Sequence, residues 1–378
     1  ITAEPQEAHG WLVRSAKLHD SVFPKSLRVI GRAGAGVNNI PLDRCAEEGI
    51  VVFNTPGANA NGVTELVVAG MILASRDVIG GTNWIREQGE IQDIAAAAEK
   101  AKAAFVGTEI RGKTLGIIGL GAIGHLVANA AVGLGMEVLG FDPSIPVQYA
   151  WRLSRSVKHI EKLEEMLPRC DYLTIHVPLN DKTRKMIGVK ELALIKKGAI
   201  LLNFSRDALC DEDAVLNALK DGKLRRYVVD FPNSKNVTFP NTIVTPHLGA
   251  STDESEENCA VMAVEEIQNY LDYGNIVNSV NYPDVSLGML NSPTRVVVMH
   301  RNIPNAINRM ASLFGDAGYN IEQMVSNSRG KYAAAIIDVS EPLARDFVLQ
   351  LREHEEVLKV RVIKGQTQPT PENVPEEE

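Results

Sequence analysis

The sequence predicts an α/β protein. It reads as a doubly wound parallel sheet, with a second parallel-sheet region ahead of it and a βαββαβ module behind. Three observations carry this reading. Thr114–Asp142 runs strand, glycine turn, helix, strand, acid. Apolar runs of strand length then recur between helical patterns at Tyr172–Val177, Ala199–Phe204, Tyr227–Phe231 and Thr242–Val244. Residues 294–363 change character, with two helical patterns among four strand-like runs.

The first observation is the most specific. Leu115, Ile117 and Ile118 lead into Gly119-Leu120-Gly121-Ala122-Ile123-Gly124. Ile123, Leu126, Val127, Ala130, Ala131 and Leu134 follow at helical spacing, and Val138–Phe141 stops on Asp142. A GxGxxG in that setting is a dinucleotide fingerprint of the Rossmann type. Gly119 makes the turn, Gly121 lets the backbone approach a pyrophosphate, and Gly124 lets the helix pack on its strand. The helix N-terminus favours the anion. Asp142 would accept hydrogen bonds from both ribose hydroxyls and repel a 2′-phosphate, so the expected cofactor is NAD rather than NADP.

Size and composition bound the rest. A chain of 378 residues is too long for one core and suggests two or three domains. The net charge of −8 argues against a nucleic-acid partner. Glu372, Glu376, Glu377 and Glu378 supply half of it, so the body is only mildly acidic. Cys45, Cys170, Cys210 and Cys259 lie far apart with no CxxC, which suits a reducing, cytoplasmic location. No signal peptide is visible, and a start at Ile1 rather than Met reads as a missing beginning. Residues 114–136 are strongly apolar, but glycines, His125 and Asn129 interrupt them, so no membrane span is expected.

Taken in order, Gly10–Ser15 is a short apolar run ending in a basic residue and a hydroxyl. Leu27–Ile30 leads into the glycine turn Arg32–Asn39, and Ile50–Phe53 ends in Asn54–Asn59. Three strands finished by polar or glycine-rich residues suggest a parallel sheet whose strand ends face one crevice, although such residues are also common in ordinary loops. A long helix is expected over Glu65–Asp77 and another helical stretch over Ala95–Ala104. The fingerprint's two strands and the later runs make about six parallel strands. A helix over Asp213–Leu219 and a final one over Glu256–Tyr273, ending at Gly274, complete this part. Pro283–Pro293 reads as a linker. The module behind it has strand Arg295–His300, helix Ile303–Phe314, strand Asn320–Ser326, strand Tyr332–Val339, helix Leu343–Leu351 and strand Val357–Ile363, a ferredoxin-like order. The tail from Gly365, with three prolines and four glutamates, is expected to be disordered.

Some motifs mislead. Gly107–Thr114 spells a Walker A loop but opens onto a strand, whereas a P-loop needs a helix to hold the phosphates. Asn203-Phe-Ser205 and Asn236-Val-Thr238 are sequons without a secretory context. The eight histidines form no HExxH and do not cluster with cysteine, so no metal is expected. His125 is read as a surface residue of the cofactor helix.

Ligands of doubly wound sheets sit beyond the carboxyl ends of the strands. Here the apolar runs end in Gly119, Asp142, His176, Ser205-Arg206, Asp230 and Pro246-His247. Taking a hydride from a 2-hydroxy acid requires a cation for its carboxylate and a base for its hydroxyl proton. Arg206 offers a guanidinium fork for the first and His247 a titratable imidazole for the second. A lone histidine is more often structural, but this one stands at a strand end beside a nucleotide fingerprint.

At this point the chain resembles the D-isomer-specific 2-hydroxyacid dehydrogenases, and within them the branch that acts on 3-phosphoglycerate. The likeness runs from about Leu12 to Ile363. It rests on VRSA (13–16), GRAGAGVNNI (31–40), FNTPGANA (53–60), GLGAIG (119–124), HVPL (176–179), NFSR (203–206), VVDF (228–231) and TPHLGAST (245–252). The resemblance implies NAD-dependent oxidation of 3-phospho-D-glycerate to 3-phosphohydroxypyruvate, the first step of serine biosynthesis. Arg206 and His247 would be catalytic, and Arg14, Ser15, Gly36, Val37 and Asn59 would hold substrate. NAD would lie against Gly119, Gly121, Ala122, Ile123, Gly124, Asp142, His176, Pro178, Thr183, Ser205, Asp230 and Gly249, with Asp230 facing the nicotinamide. It also implies a flavodoxin-like substrate domain over residues 1–62 and 250–283 and a nucleotide domain over 63–249. A linker over 284–293, a regulatory ACT domain over 294–364 and the tail 365–378 would follow.

The ACT resemblance places an L-serine effector at His300, Asn302 and Asn320. Asn305 stands where such sites carry glycine, so serine binding and a structural or oligomerising role are both open. The family's glutamate partner for the histidine is also missing, because Asp230–Lys235 reads DFPNSK. Family members begin with a further strand and helix, for which there is little room before Val13; a truncated chain and an incomplete substrate domain are both open. A homodimer or homotetramer is implied, built through the nucleotide domain's long helix. Two other functions stay in view: turnover of another D-2-hydroxy acid, and an NAD(H)-sensing binding protein on the same fold.

Overall fold

Three short strands open the chain. In a computed structural model that describes residues 7–89 and 91–365, β1 (Gly10–Val13), β2 (Val29–Arg32) and β3 (Val51–Asn54) pair in parallel in that order. Val29, Ile30, Val51, Val52 and Phe53 are buried, and this holds the sheet together. The strand ends are cross-tied. Asn39 Nδ2 donates to Ala16 O at 2.8 Å, Asn54 Nδ2 to Ala35 O at 2.6 Å, and Gly34 N to Thr55 Oγ1 at 2.8 Å. The terminal asparagines thus brace the glycine turn.

The nucleotide-fingerprint region builds a seven-stranded parallel sheet. Its strands are β4 (Thr114–Ile118), β5 (Glu137–Phe141), β6 (Lys158–His159), β7 (Tyr172–Ile175), β8 (Ala199–Asn203), β9 (Leu224–Val229) and β10 (Thr242–Val244). The order is β10-β9-β8-β7-β4-β5-β6, which reverses direction beside β4 and places the switch point at the glycine turn. About six strands were expected. The extra one, β6, is two exposed residues long and has no apolar run to reveal it. Two buried clusters cover the two faces, one containing Leu173, Leu201 and Val229, the other Ile117, Ile200 and Val228. The long helix begins at Ala60 rather than Glu65, and a separate helix, Val78–Glu87, follows it. Asp77 caps that helix through Gly80 N. Residues 107–113 form a loop onto β4, as the reading against a P-loop requires. Asn203 and Asn236 are both buried, so neither sequon is presented on the surface.

The C-terminal sheet is antiparallel: β11 (Thr294–Arg301), β12 (Ile321–Arg329), β13 (Tyr332–Val339) and β14 (Val357–Lys364), in the order β12-β13-β11-β14. With helices Ala306–Asp316 and Arg345–Arg352 this is the ferredoxin-like βαββαβ arrangement. Strand period explains its two packed faces. Val296, Val298, Ile337 and Val339 meet Met310, Phe314, Phe347 and Leu351 of the helices. Val297, Met299, Ala334 and Ile336 turn the other way, into a cluster with Val29, Val51, Phe53, Tyr270 and Tyr282.

The described residues therefore divide into two compact units, 59–256 and the segments before 59 and from 257 on. The sequence reading kept the C-terminal module separate behind a linker. In the structure it shares a core with the N-terminal strands, because its second sheet face is apolar too. One end of its two central strands is also tied there: Arg301 of β11 pairs with Glu47 at 2.8 Å and Tyr332 Oη of β13 donates to Glu47 at 3.0 Å. The expected disordered tail falls on residues 366–378, outside those described. No helix among the described residues is long and apolar enough to cross a membrane.

Candidate active site

The glycine turn is built as its spacing demands. Gly119 follows β4 with φ +90°, a conformation costly for any residue with a side chain. A Cβ at Gly124 would lie 1.9 Å from Gly119 O, so only glycine lets the helix Gly124–Gly133 start there. At Gly121 a Cβ would meet nothing within 4 Å; this glycine borders open space rather than protein. The helix has no side-chain cap and no acid in its first turn, which suits an incoming anion. Ala122 and Ile123 complete the turn. These features fit a dinucleotide pyrophosphate.

Asp142 follows β5 and has a structural task beyond the one expected. Its Oδ2 accepts Leu120 N and its Oδ1 accepts Ser144 N, both at 2.8 Å. The carboxylate thereby fixes the fingerprint loop, and each oxygen retains a lone pair for a ribose hydroxyl. His125 departs from its reading as a surface residue. It is buried, its Nδ1 lies 2.8 Å from Gly121 O, and its ring stacks on Tyr149 at 5.0 Å. The i to i−4 geometry turns the ring back onto the glycine loop.

The ends of β7 to β10 carry the remaining candidate residues of this unit. Ser205 Oγ donates to Ile175 O at 2.7 Å, and buried Asn203 shapes the next turn by donating to Arg206 O at 2.8 Å. Arg206 is exposed, with Nη1 2.6 Å from Ser205 O. Asp230, 1% exposed, closes β9 and accepts three hydrogen bonds from the loop after β10. They come from Thr245 Oγ1 at 2.6 Å and from Leu248 N and Gly249 N at 2.8 Å each. That loop carries His247 at φ +59°, in the left-handed region, with its side chain exposed. The imidazole packs on the Phe231 ring at 4.8 Å between centroids, and the Arg206 guanidinium lies 5.8 Å from the same ring. Among the described residues no carboxylate pairs with either Arg206 or His247.

His176 Nε2 is 2.9 Å from Thr174 Oγ1, while its buried Nδ1 has no partner among the described residues. Burial pushes its pKa down to about 3, so it stays neutral. Pro178 O accepts Thr183 Oγ1 at 2.6 Å, closing a small surface loop. Asn59 precedes the helix Ala60–Ser75 without making a side-chain cap. In the other unit, Arg14 and Ser15 follow β1 and are exposed, and Gly36 and Val37 lie in the turn after β2.

In the ferredoxin-like module His300 is buried and held below the usual imidazole range by that burial. Asn302 Nδ2 donates to Gly330 O at 3.0 Å, and Asn320 is exposed. Asn305, where glycine was expected, adopts φ +68°, a conformation asparagine tolerates better than most residues.

Sequence reasoning missed two contributors. Thr245 reads only as part of the TPHLGAST motif, yet its Oγ1 donates to Asp230. Phe231 reads as the last apolar residue of a strand, although the His247 imidazole and the Arg206 guanidinium both lie against its ring. Its position between Asp230 and a proline was the available signal.

Comparisons with known proteins agree with this geometry. A family model described as the NAD-binding domain of D-isomer-specific 2-hydroxyacid dehydrogenases matches residues 68–249. Over 310 residues the chain is 38% identical to a D-3-phosphoglycerate dehydrogenase of Methanocaldococcus jannaschii, covering 79% of this chain and 57% of that protein. The chain thus spans little more than half of that relative's length. It is 33% identical over 350 residues to D-3-phosphoglycerate dehydrogenase of Haemophilus influenzae, covering 89% of this chain and 81% of that one. The NAD-bound 3-phosphoglycerate dehydrogenase structure from Entamoeba histolytica matches with TM-score 0.57 and 28% identity, covering 75% of this chain and 84% of that one. With a glycine turn built for a pyrophosphate and these likenesses beside it, the chain belongs to the D-isomer-specific 2-hydroxyacid dehydrogenases.

Proposed function

We propose that this chain oxidises 3-phospho-D-glycerate to 3-phosphohydroxypyruvate with NAD, at the head of serine biosynthesis. The observation that carries the reading is the grouping of Arg206 and His247 on one aromatic ring, with the His247 loop pinned by Asp230. The names of the relatives support the substrate.

Gly119, Gly121, Gly124 and Asp142 would hold the NAD, with His176, Pro178, Thr183, Ser205 and Gly249 around it. Bound NAD supplies the hydride acceptor. Arg206 holds the substrate carboxylate with its planar fork. His247 takes the hydroxyl proton as the C2–H bond gives up its hydride, and the C2–O bond becomes a carbonyl. Arg14, Ser15, Gly36, Val37 and Asn59 bind the substrate, with Arg14 drawn to the phosphate. Asp230 acts through the loop it anchors.

The C-terminal module is read as an ACT domain, with L-serine at His300, Asn302 and Asn320 as its candidate effector. The left-handed Asn305 supports a turn of the right shape. A homodimer or homotetramer in the cytoplasm completes the proposal; the four cysteines are all free and buried.

NADH formation tests the reading, with 3-phosphoglycerate, D-lactate and D-glycerate compared at pH 7 and pH 9. Turnover preferring 3-phosphoglycerate, lowered by roughly 10² to 10⁴ in His247→Ala, is expected. Preference for another D-2-hydroxy acid would reassign the substrate. NAD binding without turnover would favour an NAD(H)-sensing protein, a reading the unpaired His247 also suits.

A further inference from the structure

We propose that Phe231 is a positioning residue that sets the aim of both Arg206 and His247. The inference deepens the reaction proposed above and rests on it. The ring is half-buried: one side packs against the core beneath β7 to β9, and the remainder meets the two functional side chains. The guanidinium of Arg206, at the end of β8, lies over this ring, and Asp230 precedes it in the chain at the end of β9. Asp230 is already engaged by Thr245, Leu248 and Gly249.

Both functional side chains need such a restraint. Arg206 and His247 are exposed and lack a carboxylate partner among the described residues, so neither is oriented by an ion pair. The His247 backbone is fixed by its loop, but fixing φ and ψ leaves the imidazole free about its side-chain bonds. An aromatic face removes that freedom without adding a charge. It offers van der Waals contact to the imidazole and an electron-rich surface to the guanidinium. In this chain an anchored ring stands in for an orienting acid.

The test uses the full chain and the series Phe231→Tyr, Phe231→Trp and Phe231→Leu. Leucine keeps an apolar side chain but has no π face. With 3-phosphoglycerate and NAD, Phe231→Leu is expected to lower kcat by about tenfold or more through a misaimed base. It should also raise KM through a loosened Arg206. Phe231→Tyr should retain both constants, with Phe231→Trp between. Thermal melting separates positioning from packing: a lowered Tm with unchanged kcat and KM in Phe231→Leu would overturn the inference.

A second readout needs no turnover, so the inference can fail separately from the proposed reaction. The His247 ring-proton lines, assigned by their loss in His247→Ala, should be displaced by the Phe231 ring current. That displacement should persist in Phe231→Tyr and vanish in Phe231→Leu. Lines at free-imidazole positions in the unmodified protein would overturn the inference even if 3-phosphoglycerate is oxidised.

Discussion

Asp230 accepts the backbone N–H of Leu248 at 2.8 Å, and through that bond the end of β9 holds the His247 loop. The carboxylate is buried, and its two oxygens take three donors between them. Hydrogen bonds to a buried charge are each worth roughly 1.5–3 kcal/mol. Asp230→Asn keeps the shape but replaces one acceptor oxygen with an N–H₂ that must face a backbone donor or the Thr245 hydroxyl. The expected result is about 2 kcal/mol less stability in urea unfolding and a fall in kcat as His247 loses its loop geometry. Unchanged unfolding and unchanged kcat would show that the loop holds itself.

The fingerprint glycines give opposite predictions. Gly124→Ala drives a Cβ to 1.9 Å from Gly119 O, a clash that the loop or helix must move to relieve. Its Tm should fall whether or not NAD is present. Gly121→Ala meets nothing within 4 Å, so the protein should fold with an unaltered Tm. NAD affinity measured by calorimetry should instead drop about tenfold or more, because the methyl occupies the backbone's approach to the pyrophosphate. Equal loss of Tm in both variants would contradict the division of roles.

The contrast shows what the sequence makes legible. The fingerprint is local: glycines, helix and acid are consecutive, so their roles follow from spacing. The C-terminal module was legible for the same reason, and Tyr332–Val339 emerged as β13 with the expected bounds. What escaped was non-local or weakly apolar. The helix Val78–Glu87 contains no buried residue, and Gly80 and Gly81 in its first turn lower its helix propensity. His125 is covered by Tyr149, which comes from the short helix Val147–Ala150 after β5, a partner that helical spacing cannot reveal. Val297 and Val51 share a core although nothing in either strand names the other. Phe231 was hidden because an aromatic residue at a strand end is ordinarily core.

Arg295, buried and paired with Asp338, ties the ferredoxin-like sheet to the chain before it. Arg295 Nε lies 2.6 Å and Nη2 2.8 Å from the two Asp338 oxygens, in register across β11 and β13. Nη1 donates to Tyr273 O at 2.9 Å and Gly288 O at 2.8 Å, so one side chain also holds the end of the helix Asp253–Tyr273 and fastens the linker. Removing one partner of a buried pair costs about 3–5 kcal/mol. Arg295→Met should reach that range in chemical denaturation. Arg295→Met with Asp338→Leu should recover only part, because the carbonyls of Tyr273 and Gly288 remain without their donor. Full recovery would mean that the ion pair, not the carbonyl clamp, is what the arginine contributes.

Glu266, on the helix Asp253–Tyr273, gives the protein a pH-dependent stability. Burial pushes its pKa up to about 7, opposed by the hydrogen bond from Asn278 Nδ2 and assisted by the nearby Asp284 charge. Its Oε2 is buried without a partner among the described residues. In the unfolded chain a glutamate titrates at about 4.3. Between that value and about 7 the folded state keeps a proton that the unfolded state has released. Stability therefore falls as pH rises through this window and levels off above it. Glu266→Gln retains an acceptor for Asn278 and cannot titrate. Urea midpoints at pH 5 and pH 8 should differ less in Glu266→Gln than in the unmodified protein, with the variant gaining at pH 8. The same difference in both proteins would assign the pH dependence to other groups and leave Glu266 a solvated surface acid.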